Sequence, residues 1–286
     1  MLALGLGVLA AVIWAVHDLL ARKLSQGAEL VPIVLWVLIS GSAVLVIPAL
    51  VFGDWGGLSG KAVLLAGAAG LSFAVAIGAL YRAFSMAPAR IVSPIIGAYP
   101  VLSMMFATAQ GRSVTLADWV SVLAVVAGIA IVSLTGDHGA GPANAQKSPI
   151  PAMRWSCLSA VAFAITFALG QDAARQGSDL PTILITRLVA GLTMGGVFLV
   201  AKSSFASLSG NWRLISVMGV FDALALSLVA ASGRLPQAEY AAVSASLFGV
   251  GTILLASYFL NEKLHLLQWV GVVMVFGAIA VLSLQT

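Results

Sequence analysis

A few ionisable residues stand where the surrounding sequence is too apolar to keep them solvated. His17 and Asp18 lie late in the run LALGLGVLAAVIWAVHDLLARKL, and Asp222 lies inside VMGVFDALALSLV. A charge at the middle of a spanning helix costs about 3 kcal/mol on insertion scales, so such a group needs a partner and usually has a task. Trp14, His17, Asp18 and Ala21 fall on one face of a helix. On that face Trp14 and His17 are candidates to line a cavity, and an imidazole titrates near neutral pH. The plainer reading keeps His17 and Asp18 at the interface, anchoring the helix end beside Arg22 and Lys23. Asp222 has an opposite charge in Arg187, on the preceding apolar run. Runs joined by a short loop are neighbours, and the cost of burying a charge alone favours a structural ion pair here. The sharper alternative gives Arg187 a solute carboxylate and leaves Asp222, like His17 and Asp18, free to carry a proton.

Hydroxyls and rings gather in the stretch from Gly78 to Met105, GALYRAFSMAPARIVSPIIGAYPVLSMM. Pro94 and Pro100 each remove a backbone hydrogen bond and crowd the preceding turn. In lipid, a carbonyl freed in this way is tolerated only where protein or water satisfies it. The span is therefore expected to break at both prolines and to line something other than lipid, with Ser93, Tyr81 and Tyr99 as candidate binding residues. For Tyr81 the alternative is an interfacial tyrosine belt. Phe163 stands in the second part of the chain where Trp14 stands in the first, as a matching cavity wall or as ordinary packing. Ser244, with Ser246, Gly249 and Gly251, is the later counterpart of Ser93. Close helix packing is its plainer explanation.

The elements that must position these groups follow from composition. The chain has 286 residues, 61% hydrophobic and 8% charged, with a mean hydropathy of +1.08. Soluble domains carry about 25% charged residues, so this is an integral membrane protein. Runs of about 20 apolar residues mark spans. They fall at 2–24, 30–52, 61–86, 90–110, 114–135, 152–172, 180–201, 212–232, 238–260 and 264–285. The expected fold is all-α, with ten transmembrane helices as two inverted five-helix repeats. Residues 1–136 form the first repeat, 137–151 a polar linker and 152–286 the second repeat. LAAVIWAV from Leu9 matches LSAVAFAI from Leu158, Pro32 matches Pro181, Trp119 matches Trp269, and Gly128 matches Gly277. Five spans per copy is odd, so the second copy inserts upside down. Inverted repeats are a common build of secondary transporters, with the site between them near the midplane.

These residues carry a family resemblance. Trp14 followed by Arg22 and Lys23, Ala87-Pro88-Ala89 with Pro100, Ala245 to Thr252, Leu260-Asn261-Glu262-Lys263-Leu264, Gln268-Trp269-Val270-Gly271 and Gly277 together resemble EamA-type permeases of the drug/metabolite transporter superfamily. Gly111-Arg112 departs from the family where a glutamate is expected. Among subfamilies the chain most resembles the YddG-type exporters of aromatic amino acids. The resemblance implies export of amino acids or similar small metabolites across the bacterial inner membrane, by alternating access at a central cavity. A permease for drugs or other metabolites is the nearest alternative.

Other classes fit less well. HExxH and GxSxG are absent, the only cysteine is Cys157 and the only histidines are His17, His138 and His265. No catalytic residue, metal site or cofactor is therefore expected, and a membrane-embedded enzyme is the weaker reading. The net charge of +4 reflects topology rather than nucleic acid. The expected partners are a small-molecule solute and the lipid bilayer, with a monomer sufficient. Lys and Arg are denser after the odd-numbered spans, which places the linker in the cytoplasm and both termini outside.

Overall fold

Apolar runs long enough for a bilayer become helices almost to the residue. The computed structural model describes residues 1–25, 28–87, 89–109, 111, 114–134, 150–208, 210–260 and 266–284. Among these there is no strand. The helices are α1 (Leu2–Leu24), α2 (Leu30–Phe52), α3 (Gly60–Met86), α4 (Ala89–Ile96), α5 (Tyr99–Ala109), α6 (Leu116–Leu134), α7 (Ile150–Gln176), α8 (Asp179–Val200), α9 (Trp212–Ala231), α10 (Glu239–Ala245), α11 (Phe248–Leu260) and α12 (Leu266–Leu284). Short 3-10 turns occupy Phe205–Leu208 and Ser232–Arg234. Six helices, α1, α2, α3, α7, α8 and α9, are long and apolar enough to cross a membrane, and the others include shorter apolar helices. Leu64, Leu192 and Val200 turn outward and are exposed in the isolated chain, which suits side chains that face lipid. The polar stretch at 137–151 lies outside the described residues except for Ile150 and Pro151, which open α7. Glu262, His138 and His265 also lie outside them.

The proline-bearing span is interrupted once, between its two prolines, rather than at each. Pro100 has no N–H to offer the carbonyl four residues back, and its ring crowds that carbonyl. That residue is Ile96, where α4 stops. As the second residue of α5, Pro100 sits where a missing N–H breaks no helical bond. Pro94 is the sixth of the eight residues of α4, and its side chain is outside the description. A second interruption separates α10 from α11 at Ser246 and Leu247. It has no proline. Ser246 Oγ instead donates to Val243 O at 2.7 Å, the kind of local side-chain bond that competes with a helix.

Small residues set the packing. α1 lies against α9, α10 and α11, while α7 lies against α3, α4 and α5. α2 contacts α8 and α9, α3 contacts α8, and α6 contacts α12. At Gly70 of α3 a Cβ would stand 2.7 Å from Val189 Cβ of α8, and at Gly128 of α6 one would stand 2.8 Å from Gly271 O of α12. Such close backbone approach is how helices associate without a hydrophobic drive between them.

Candidate functional site

A cavity opens in the middle of the bundle. α1 contributes Trp14, His17 and Asp18; α3 contributes Ile77 and Leu80; α5, Tyr99; α7, Phe163 and Phe167; α9, Asp222; and α11, Phe248. About 20 Å³ is open to the centre of a water molecule. A buried water needs about 10–15 Å³ by the same measure, so the cavity as it stands holds one or two waters and no amino acid.

One polar system joins α1, α8 and α9. Trp14 Nε1–H donates to Asp222 Oδ1 at 3.2 Å, and Arg187 Nη1 donates to Asp222 Oδ2 at 2.8 Å. Arg187 is fully buried, with 0% exposure. Its Nη2 reaches Val37 O at 3.4 Å, and its guanidinium carbon lies 5.8 Å from the centre of the Phe73 ring. Its Nε has no hydrogen-bond partner among the described residues. Gly41 makes the room: a Cβ there would collide with Arg187 Nη2 and with Gly219 O. α2 and α9 thus meet glycine to glycine beside the ion pair.

A second system joins α1 and α3. Tyr81 OH lies 3.2 Å from His17 Nε2, and His17 Nδ1 lies 3.0 Å from Asp18 Oδ1. One neutral tautomer satisfies both contacts: Tyr81 O–H donates to Nε2 and Nδ1–H donates to Asp18. Both Asp18 and Asp222 face the cavity. Asp222 is neutralised by Arg187, whereas Asp18 has only the imidazole as its ion-pair partner among the described residues. The lining thus holds two carboxyl groups, of which one is paired with a guanidinium.

The walls are aromatic. The Phe167 ring centre lies 5.7 Å from Trp14, 5.2 Å from Tyr99 and 5.7 Å from Phe163, on which it stacks. Phe73 stands 6.3 Å behind Phe163. Tyr99 O–H donates to Ala242 O at 2.7 Å and ties α5 to α10.

Of the residues singled out from the sequence, Trp14, His17, Asp18, Tyr99, Phe163 and Asp222 line the cavity. Tyr81 and Arg187 stand one layer behind, bonded to lining residues. Ser244 lies elsewhere: its Oγ is 3.0 Å from Leu4 O and 2.8 Å from Tyr240 O, where α10 crosses α1 at Gly7. Ser93 is buried away from the cavity, and its Oγ has no partner among the described residues. Sequence reasoning missed Phe167 and Phe248. Phe167 is one turn from Phe163 on the same helix, which was the available signal. It also missed Gln171 of α7, which reaches across to Ser232 at the end of α9 and to Ala238 before α10, and the buried bond from Tyr240 O–H to Asp118 that joins α10 to α6.

Long apolar helices packed around an interior cavity define a multi-pass helical membrane protein. The EamA-like transporter family matches residues 1–134 and again residues 150–284, and the chain belongs to that family. Membership points to a small-molecule permease rather than an enzyme. A solved structure titled only "Crystal structure of protein" is 16% identical, with a TM-score of 0.78 over 99% of this chain and 96% of that one. At that identity the likeness is one of fold alone. No curated protein matches the chain.

Proposed function

We propose that the chain exports amino acids, aromatic or apolar ones above all, or similar small metabolites, across the bacterial inner membrane by alternating access. The observation that carries this reading is the cavity. Its walls are rings, which suit an apolar side chain, and its polar groups are few and localised at Asp18, Asp222 and His17. The first residue of α5, Tyr99, and the first residue of α11, Phe248, both line it. Interrupted helices that turn their N-terminal ends toward a midplane site are how many secondary transporters hold a substrate carboxylate.

The packing supports two inverted halves, 1–136 and 152–286, of five spans each. α1 meets α9, α10 and α11 as α7 meets α3, α4 and α5. α2 meets α9 as α8 meets α3, while α2 with α8 and α6 with α12 pair across the middle. A two-fold relation between the halves produces this pattern, and the family's two matched segments divide the chain in the same way. The cavity admits water and not an amino acid, so the cycle has to widen it by rocking one half against the other.

The test is flux. Liposomes containing the purified full chain are loaded with labelled phenylalanine, leucine or lysine, and release is followed. Phenylalanine is expected to move, with Tyr99→Ala slowing it by about tenfold. Flux of a quaternary organic cation in place of every amino acid would make the chain a drug permease. No flux of any of these in either direction would refute the proposal.

A further inference from the structure

Phe167 borders three cavities at once, and among the described residues it alone is common to them. The first is the central cavity. The second is lined by Ser103, Gln171 and Ala242, among others, and the third by Thr166, Thr182, Thr186 and Leu226. Ser103 follows Tyr99 on α5 by four residues, and Gln171 follows Phe167 on α7 by four. Both helices therefore lead from the central cavity to the second one, a turn or about 6 Å further on. Beyond it, α7 is tied to the connection between α9 and α10. Gln171 Nε2 donates to Ala238 O at 2.8 Å and to Ser232 Oγ at 3.1 Å, and Arg234 Nε donates to Ala174 O at 3.0 Å. The central cavity is thus shut off from this face in two layers, a ring and then a polar tie.

The second cavity suits polar contents and the third does not. Ser103 is 7% exposed, and its Oγ has no hydrogen-bond partner among the described residues. Facing carbonyls require the Gln171 nitrogen on their side, so its amide oxygen is on the other and takes no bond among the described residues. Glu239 lies on the same wall and is already engaged. In the third cavity Thr166, Thr182 and Thr186 each donate to the carbonyl four residues back, so every threonine hydroxyl hydrogen there is taken. Phe167 carries no polar group to fix it, and the three rings around it stand 5.2 to 5.7 Å away. Tyr99, by contrast, is held through its hydroxyl to Ala242 O. A close-packed ring has no freedom to turn. This one has space on three sides, so a small parting of the helices releases it.

We propose that Phe167 is the gate between the central cavity and the face at which α5 and α7 end, with the path running between α5, α7 and α10 past Ser103. The proposal deepens the export reading and rests on it for what passes and in which direction. Turned toward the threonines, the ring joins the central cavity to the space at Ser103. Turned back, it closes the aromatic wall and keeps the solute from water on that side.

Cysteine accessibility in the full chain tests this. Exposed Cys157 is first removed by Cys157→Ser. Leu80→Cys then reports on the central cavity and Ser103→Cys on the space beyond the ring. Vesicles of each orientation are treated with a membrane-impermeant methanethiosulfonate. From the face at which α5 and α7 end, Ser103→Cys should react at least about tenfold faster than Leu80→Cys. Adding Phe167→Ala should raise the rate at Leu80→Cys about tenfold from that face and leave Ser103→Cys unchanged. Phe167→Leu should give a smaller gain of the same kind, and it decides if Phe167→Ala does not fold. No gain at Leu80→Cys overturns the gate. An equal gain at both cysteines, or from both faces, also overturns it, because a loosened bundle gives that result. A Ser103→Cys that never reacts from that face removes the path and the gate with it. Accessibility and flux separate the two proposals. Wild-type phenylalanine flux with Leu80→Cys indifferent to Phe167 removes only the gate. The expected labelling without any wild-type flux removes only the export reading.

Discussion

Asp222→Asn tests the central ion pair most directly. The substitution keeps the shape and leaves Trp14 an oxygen to donate to, but removes the charge that balances Arg187. The guanidinium is then left with Val37 O at 3.4 Å, the Phe73 ring at 5.8 Å and an Nε that has no hydrogen bond. With 0% exposure it has no route to water. Breaking a buried pair from one side costs about 3–5 kcal/mol, and the ring offsets about 1 kcal/mol of that. A loss of about 2–4 kcal/mol is expected. Arg187→Gln added to Asp222→Asn restores a neutral hydrogen-bonded pair, so the double variant should be more stable than Asp222→Asn alone. The coupling energy should be about 2 kcal/mol. Unfolding of all four proteins in mixed micelles, followed by circular dichroism, gives the cycle. A loss under about 1 kcal/mol for Asp222→Asn, or strict additivity, would show that the charge is not held by this pair.

Other outcomes follow from the same contacts. Gly41→Ala drives a methyl into Arg187 Nη2 and Gly219 O and should cost about 1–3 kcal/mol. Gly196→Ala, also helical but with nothing within 4 Å, should be neutral or stabilise by up to about 1 kcal/mol; melting of the two variants compares them. Tyr81→Phe removes the donor to His17 Nε2 while the contact of Nδ1 with Asp18 stays, so nitrogen-15 spectra of labelled histidine should show the Nε2 resonance of His17 shift, and an unchanged spectrum would refute the contact. Gln171→Leu removes the amide donor from Ala238 O and Ser232 Oγ, leaving Ala238 O only a long contact with Ser232 Oγ at 3.5 Å, and should lower stability by about 1–2 kcal/mol in the same unfolding assay.

Helix limits were legible because hydropathy decides them: α1 and α2 run over the residues their apolar runs span. Groups that are costly in lipid were legible too, since Asp18, Asp222 and Arg187 stand out against their neighbours. Orientation was harder. Phe167 is one apolar residue among many in α7, and only the arrangement of α1, α5 and α7 around it makes it a wall. Ser244 looked like a site residue because serine is polar, yet the close approach of Gly7 makes it a stitch between helices. Gln171 and the Asp118–Tyr240 bond depend on partners far along the chain, which no local pattern announces. The single interruption between Pro94 and Pro100 was half legible: each proline was a candidate breaker, but only the position of Ile96 shows which one ends the helix.

Arg187 and Asp222 belong to consecutive helices, α8 and α9, while Trp14 belongs to α1. A displacement that parts α1 from α9 therefore leaves the two opposite charges travelling together and gives up the indole's single N–H contact. Pulling apart desolvated ions would raise a barrier of several kcal/mol, whereas releasing one charge-assisted hydrogen bond raises one of about 2 kcal/mol. At this polar centre the bond between the first helix and the ninth thus yields before the ion pair between the eighth and the ninth, and water entering there would find a ready acceptor at Asp222.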